Sequence, residues 1–391
     1  MRVLVTASAG TQRLLAAECG DLDLRPRRVP AHGVELDLTW EEIARALVHL
    51  RIAQRVLIRL THFPCDGADS LYDGARAVDW SRWVDAKQTI AVAATGRLPR
   101  ANSPSREAGQ LTHHVFASQR VKDALCDQLR EQGGGRPTVD LDDADVRVVA
   151  RFHGDSCSLW LDPAGAALHR RGYRAESGAA PLRETLAAAV MRASGWQGKR
   201  PLIDPFCGSG TLLIEGASAA LGLAPGRDRT FSARNWRHEG SELGPLLAKA
   251  QTAARAQAEQ ALASAKLDVL GTDLDPNVLR LARGNIARAG LKDQIRIEQA
   301  DATRMPRPAP GTVLVANPPY GERMGGDEIL GLYAALGRHW STFTGCEAHL
   351  LDGHRDFADA FGLPWTNYLE LSNGSLPVLL RRYELGVDQG R

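Results

Sequence analysis

At 391 residues the chain is long enough for two or three domains, each with its own hydrophobic core. Its 44% hydrophobic and 24% charged residues are those of an ordinary globular protein, which argues against a disordered or fibrous chain. The net charge of +2 does not advertise nucleic acid, so any such affinity must come from local patches. Only six of the 48 basic residues are lysine, which reads as compositional bias before it reads as phosphate recognition. Six scattered cysteines (Cys19, Cys65, Cys126, Cys157, Cys207, Cys346) form no CxxC pair and no metal-ligand spacing, as in a reducing compartment. The N-terminus lacks a long apolar segment, and no run approaches the roughly 18 apolar residues of a membrane span. The expectation is a cytoplasmic protein without membrane or metal partners.

In chain order, residues 3–8 read as a strand, 11–19 as a short helix and 34–38 as a half-buried strand alternating apolar and acidic residues. A helix over 40–50 precedes a strand over 55–60 with basic residues facing out, a helix over 70–78 and a strand over 89–95. A long amphipathic helix over 118–132 stops at Gly133-Gly134-Gly135, and 146–152 with 156–161 form a hairpin turned at His153-Gly154-Asp155. This half is α+β, has no Gly-rich cofactor loop, and reads as a binding unit with a subdivision at residues 1–60 and 61–165. Residues 166–180 read as a linker, containing Leu168-His169-Arg170-Arg171-Gly172-Tyr173-Arg174. From 181 to 391 strands alternate with helices, the pattern of a parallel doubly wound α/β sheet. Strands are predicted at 202–205, 269–273, 295–299, 312–316 and 348–351, helices at 182–196, 211–221, 277–289 and 329–343. An antiparallel pair, 368–371 and 378–385, closes the chain. Residues 223–266 read as an insertion with a helix over 246–265.

The run Leu202-Ile203-Asp204-Pro205-Phe206-Cys207-Gly208-Ser209-Gly210-Thr211 is a strand, a tight glycine turn and a helix start. It lacks the third glycine of a dinucleotide fingerprint and the Gly-Lys-Ser/Thr of a P-loop. A carboxylate at Asp204 suits a cationic amino-acid moiety, so Asp204, Phe206, Gly208, Gly210 and Thr211 are expected around S-adenosylmethionine. At the next strand end, Asp273 is placed to take ribose hydroxyls, while Asp275 reads equally as a ligand or as the cap of a helix opening at Pro276. Asp301 and Ala302, after the third strand, can meet an adenine edge. Cys207 reads as small-residue filling and Glu215 as a solvated or capping acid.

Asn317-Pro318-Pro319-Tyr320 follows the fourth strand. An exocyclic base amine is a poor nucleophile because its lone pair is delocalised into the ring. The Asn317 side-chain oxygen and the Pro318 carbonyl can accept its two hydrogens. Pro318 and Pro319 stiffen the turn, and Tyr320 offers a stacking face. Asn317 also stands beside the expected cofactor.

At these residues the chain resembles the THUMP-domain RNA guanine-N2 methyltransferases, most closely the branch acting on bacterial 23S rRNA. The resemblance also includes Leu71-Tyr72-Asp73-Gly74-Ala75, Val121-Lys122-Asp123-Ala124, the linker run 168–174 and Asn317-Pro318-Pro319-Tyr320-Gly321-Glu322-Arg323. It implies a ferredoxin-like subdomain over 1–60, a THUMP RNA-binding domain over 61–165 and a Rossmann-like methyltransferase domain over 181–391. It implies N2-methylguanosine as product, with Asn317 and Tyr320 at the base. In many bacteria this enzyme is fused to a second methyltransferase domain, so a 7-methylguanosine activity is not expected of these residues. A related branch methylates the tRNA acceptor stem, and the sequence separates the two poorly. Arg97, Arg100, Arg106, Lys122, Arg170, Arg171 and Arg174 are the expected RNA contacts, from two of three basic stretches; the third holds Arg25, Arg27 and Arg28. Competing readings are a protein-glutamine or DNA-amine methyltransferase and an RNA-binding scaffold with a vestigial cofactor fold.

Overall fold

The computed structural model describes residues 1–99, 110–174, 182–320 and 326–386. Its first half runs β1 (Arg2–Thr6), α1 (Gln12–Asp21), β2 (Pro26–Arg28), β3 (Gly33–Asp37), α2 (Trp40–His49), β4 (Arg55–Pro64), α3 (Ala68–Arg76), β5 (Thr89–Gly96), α4 (His114–Glu131), β6 (Thr138–Val139), β7 (Val146–Phe152) and β8 (Ser156–Asp162). The strands form one sheet in the order β2-β3-β1-β4-β8-β7-β5-β6. Local chemistry accounts for much of it. Thr39 and Glu42 close a capping box on α2, whose Ile43, Ala46 and Leu47 are buried. Along β7, Val146, Val148, Ala150 and Phe152 alternate into the core. The extra length of β4 is a tertiary effect, because β1 pairs with its start, Arg55–Ile58, and β8 with the rest, Ile58–Pro64. One sheet therefore crosses the subdivision expected at residue 60. Both β2 and β6, absent from the sequence reading, are very short and exposed, so neither carries a periodic signal.

The second half runs α5 (Glu184–Ser194), β9 (Leu202–Asp204), α6 (Thr211–Ala220), α7 (Leu243–Ser264), β10 (Val269–Asp273), α8 (Pro276–Arg288), β11 (Arg296–Gln299), β12 (Val313–Ala316), α9 (Gly326–Trp340), β13 (Cys346–Asp352), α10 (Phe357–Phe361), β14 (Trp365–Asn373) and β15 (Leu376–Leu385). The sheet order is β11-β10-β9-β12-β13-β15-β14. The first five strands are parallel and β15 is antiparallel to both its neighbours. The doubly wound α/β expectation is borne out, with the α+β half before it. Strand order reverses between β9 and β12, so the crevice at their carboxyl ends is where such a sheet binds ligands.

The insertion does not hang off the domain. Phe231, Ala233, Trp236, Leu243, Leu247 and Ala254 join the buried core of the N-terminal half. Helix α7 packs on α2, and the Gly226 N–H donates to the Val48 carbonyl at 2.9 Å. A Cβ at Gly226 would lie 2.7 Å from Val48 Cα, so only glycine fits there. Among the described residues no helix is long and apolar enough to cross a membrane.

Candidate active site

Four strand ends bring the expected residues to one crevice. Asp204, the last residue of β9, is 1% exposed and accepts the Phe206 N–H at 3.1 Å. Burial, opposed by that hydrogen bond and reinforced by the nearby Asp273 charge, pushes its carboxyl up to about 8. The turn then reverses through Gly208 (φ +52°) and Gly210 (φ +81°), both left-handed. Among the described residues a Cβ over Gly208 would meet only the Phe206 carbonyl, 3.9 Å away, so none of them covers the turn there. Asp273, ending β10, braces this turn: one oxygen accepts the Gly208 N–H at 3.0 Å and the other the Asp275 N–H at 3.1 Å. Two carboxylates, one buried and one half-buried, thus flank an open glycine turn. Such a cradle fits a ligand carrying positive charge, as S-adenosylmethionine does.

The other expected cofactor residues divide. Asp275 caps α8, accepting the Asn277 N–H at 2.8 Å, with Pro276 at the first helical position; its helix-cap reading is the observed one. Asp301 accepts both the N–H and the hydroxyl of Thr303 through one oxygen, leaving the other toward solvent-exposed Arg304 at 3.9 Å. Its neighbour Ala302 is buried, and its carbonyl takes the Trp340 indole N–H at 3.0 Å. Thr211 is turned away from a ligand role, since its hydroxyl accepts from Arg174 at 2.7 Å and lies 3.2 Å from the Ser209 hydroxyl.

After β12, the Asn317 side-chain oxygen is buried with no hydrogen-bond partner among the described residues. Such an acceptor costs about 1–3 kcal/mol unless a ligand supplies a donor. Pro318 beside it is buried, and the Pro319 carbonyl is held by the Tyr333 hydroxyl at 2.6 Å. Tyr320 is held too: the Asn373 side-chain amide donates to its hydroxyl at 2.8 Å. A Cβ at Gly353 would come within 2.7 Å of its ring, so the ring lies directly on that glycine. The remaining residues of the motif, Gly321-Glu322-Arg323, lie outside the described residues.

Neither Arg171 nor Arg174 can meet RNA as expected. The Arg171 side chain is 4% exposed, gives hydrogen bonds to the carbonyls of Leu168 and Arg51, and stands 3.5 Å from Glu215. Glu215 is itself 2% exposed and accepts the Tyr173 hydroxyl at 3.1 Å, so it is neither solvated nor a cap. Arg174 is enclosed by the Leu182 carbonyl, Thr211 and Glu184. Both arginines dock the linker on the catalytic domain because burial here demands counter-charges. Arg97 and Arg170 are exposed, as are Arg25, Arg27 and Arg28, and Lys122 pairs with Asp123 at 2.8 Å. Arg100 and Arg106 lie outside the described residues. Arg55 does not simply face out either, being paired with the buried Asp162.

The sequence reading missed a buried pair beside the Tyr320 turn, Asp352 with Arg381. Burial raises the Asp352 carboxyl to about 6 despite the arginine. A charged residue directly after the apolar Leu350-Leu351 at the end of a predicted strand was the available signal. Cys207 is buried, its thiol pushed far up by desolvation and by Asp204, in keeping with a filling role.

Comparison with known proteins agrees with this layout. A family described as RMKL-like, methyltransferase domain, matches residues 171–382, just over half the chain. The THUMP domain matches 65–162 and the RlmL ferredoxin-like domain 2–57. The ribosomal RNA large subunit methyltransferase K/L of Vibrio campbellii is 35% identical over 98% of this chain and 53% of its own length. That of Methylococcus capsulatus is 39% identical over 98% of this chain and 51% of its own. The chain thus spans about half the length of the curated relatives it matches. The crystal structure of SMU.472 complexed with SAH superposes with a TM-score of 0.85 at 27% identity, over 98% of each chain.

Proposed function

The chain belongs to the RMKL-like methyltransferase-domain family, and from that premise we propose that it transfers a methyl group from S-adenosylmethionine to the exocyclic N2 of a guanosine in 23S rRNA. The observation that carries the reading is the buried Asn317 oxygen at the carboxyl end of β12, next to the Asp204 strand and without a hydrogen-bond partner among the described residues. It is an acceptor awaiting a donor, which an amine hydrogen supplies. Bound at the glycine turn, S-adenosylmethionine supplies a methyl group on a positively charged sulfur. Asp204, Gly208, Gly210 and Asp273 hold it, with Asp301 and Ala302 toward its base. The Asn317 oxygen and the Pro318 carbonyl draw the two amine hydrogens into the plane of the turn and turn the nitrogen lone pair toward the methyl group. Tyr333, gripping the Pro319 carbonyl, keeps that turn rigid, and rigidity is what in-line transfer requires. Tyr320 is assigned to stack on the base. The proton left on the amine departs to solvent after transfer.

The N-terminal half supports RNA as the substrate, through its match to the THUMP domain and the names of the relatives. Phosphate contact is assigned to the exposed Arg97 and Arg170 and to Arg100 and Arg106, and the site of action to the cytoplasm. The test is nucleoside mass spectrometry of rRNA and tRNA from a host lacking its own 23S guanine-N2 activity, with and without this chain. Recovery of N2-methylguanosine in 23S rRNA is expected. Its appearance only in tRNA would move the substrate to the acceptor stem, and no new methylated guanosine would overturn the reading.

A further inference from the structure

We infer that Trp365 and Tyr368, on the β14–β15 hairpin, form a stacking platform for unpaired nucleotides flanking the target guanosine. The inference rests on the RNA-methylation reading above and deepens it. Aromatic side chains of this size are seldom left in water on an edge strand, yet Trp365 is 44% and Tyr368 48% exposed. Their rings meet edge to face at 5.5 Å between centroids and 86° between planes, so they brace one another while leaving ring surface uncovered. Arg381 lies 5.8 Å from the Trp365 ring centroid and supports it from the hairpin side.

The platform is tied to the reacting turn through a short series of contacts. Tyr368 stands directly opposite Arg381 in the β14–β15 register. Arg381 is paired with Asp352, and the next residue, Gly353, carries the ring of Tyr320. At the far end of the same strand, Asn373 holds the Tyr320 hydroxyl. The hairpin that positions the base-facing tyrosine therefore also displays the aromatic pair. Arg355, two residues past Gly353, reaches out with its side chain 90% exposed, sharing its charge with Asp356. Exposed rings on the hairpin that holds the base-binding turn match the chemistry of single-stranded RNA, whose bases stack. A turn that takes both N2 hydrogens must bind guanine out of its pair, because pairing with cytosine engages one of them, so unstacked neighbours are present when the site is filled.

The experiment measures binding of a fluorescent twelve-nucleotide RNA single strand and of a blunt RNA duplex to the full chain and to W365A/Y368A and W365F/Y368F. The alanine pair is expected to weaken single-strand binding at least tenfold and duplex binding much less, while the phenylalanine pair stays within about threefold because it keeps two stacking faces. The KM for RNA should rise with kcat nearly unchanged, and the heat of S-adenosylmethionine binding should match that of the unmodified chain, which also establishes that the variant folds. Unchanged single-strand affinity in the alanine pair, with the unmodified chain binding RNA, would overturn the platform alone. Failure of the unmodified chain to bind either RNA would overturn the platform and the underlying reading together. Sedimentation showing a dimer that the alanine pair dissolves would assign the surface to a second copy of the chain instead.

Discussion

On the proposed reading two residues, Asn317 and Asp204, carry most of the chemistry, and each makes a measurable claim. Asn317→Ala removes an acceptor for the amine hydrogens, and losing one such oriented group costs about 10²–10³-fold in rate. Single-turnover methylation should fall by that amount, with RNA affinity little changed; a fall below tenfold would remove Asn317 from the transfer step. Asp204 sets a pH dependence. Its folded-state carboxyl, near 8, lies above its ordinary value of 3.8, so the protonated form favours the folded state. That contribution is complete below pH 4 and is lost as pH rises toward 8, so the melting temperature of the ligand-free protein should decline over this range. A cationic ligand prefers the ionised carboxylate, so calorimetric affinity for S-adenosylmethionine should strengthen over the same window. Asp204→Asn should flatten both profiles, and an unaltered pH slope in that variant would refute the assignment.

At the scale of the element, the linker is the instructive case. Its arginines, side by side in sequence, have opposite fates: Arg170 is exposed while Arg171 faces Glu215 in the interior. Glu215→Ala should cost about 3–5 kcal/mol in urea unfolding, because it strands a buried guanidinium. Glu215→Gln should cost less. Arg170→Glu should leave stability alone, weaken RNA binding and lower its salt slope by about one. Equal effects of the two changes on stability would contradict the burial assigned to each. A solvated basic run and a buried counter-ion array look alike in one dimension, since only packing decides which guanidinium loses its water.

Across the whole molecule, the insertion acts as a clamp between the halves. Arg229 gives hydrogen bonds to the carbonyls of Ala166, Ala167 and Arg170, and the Trp236 indole donates to the Asp145 carbonyl at 2.9 Å. Burial and neighbouring guanidinium groups lower the Arg229 charge affinity to about 10, so it stays cationic at neutral pH. Arg229→Ala should strip the Ala166 and Arg170 carbonyls of their side-chain donor and speed proteolysis within 166–174 several-fold, at nearly unchanged S-adenosylmethionine affinity. Cleavage at the unmodified rate would show that the clamp lies elsewhere.

The sequence by itself determined the α/β order, the cofactor turn and the Asn317–Tyr320 turn. Each is local: glycines that must take positive φ, an acid at a strand end, prolines that fix a loop. Periodicity likewise located nearly every long helix and strand, because a face that must be buried repeats along its own element. Tertiary structure alone decided that β4 joins two subdomains in one sheet, that β2 and β6 exist, and that the insertion packs on the N-terminal half. It also decided that Arg171, Arg174 and Thr211 serve the linker, and that Asn317 keeps an unanswered acceptor. These depend on which segments pair and on which side chains lose their water on packing, from β2 beside β3 to Arg171 against Arg51, and neither leaves a mark in the residues nearby.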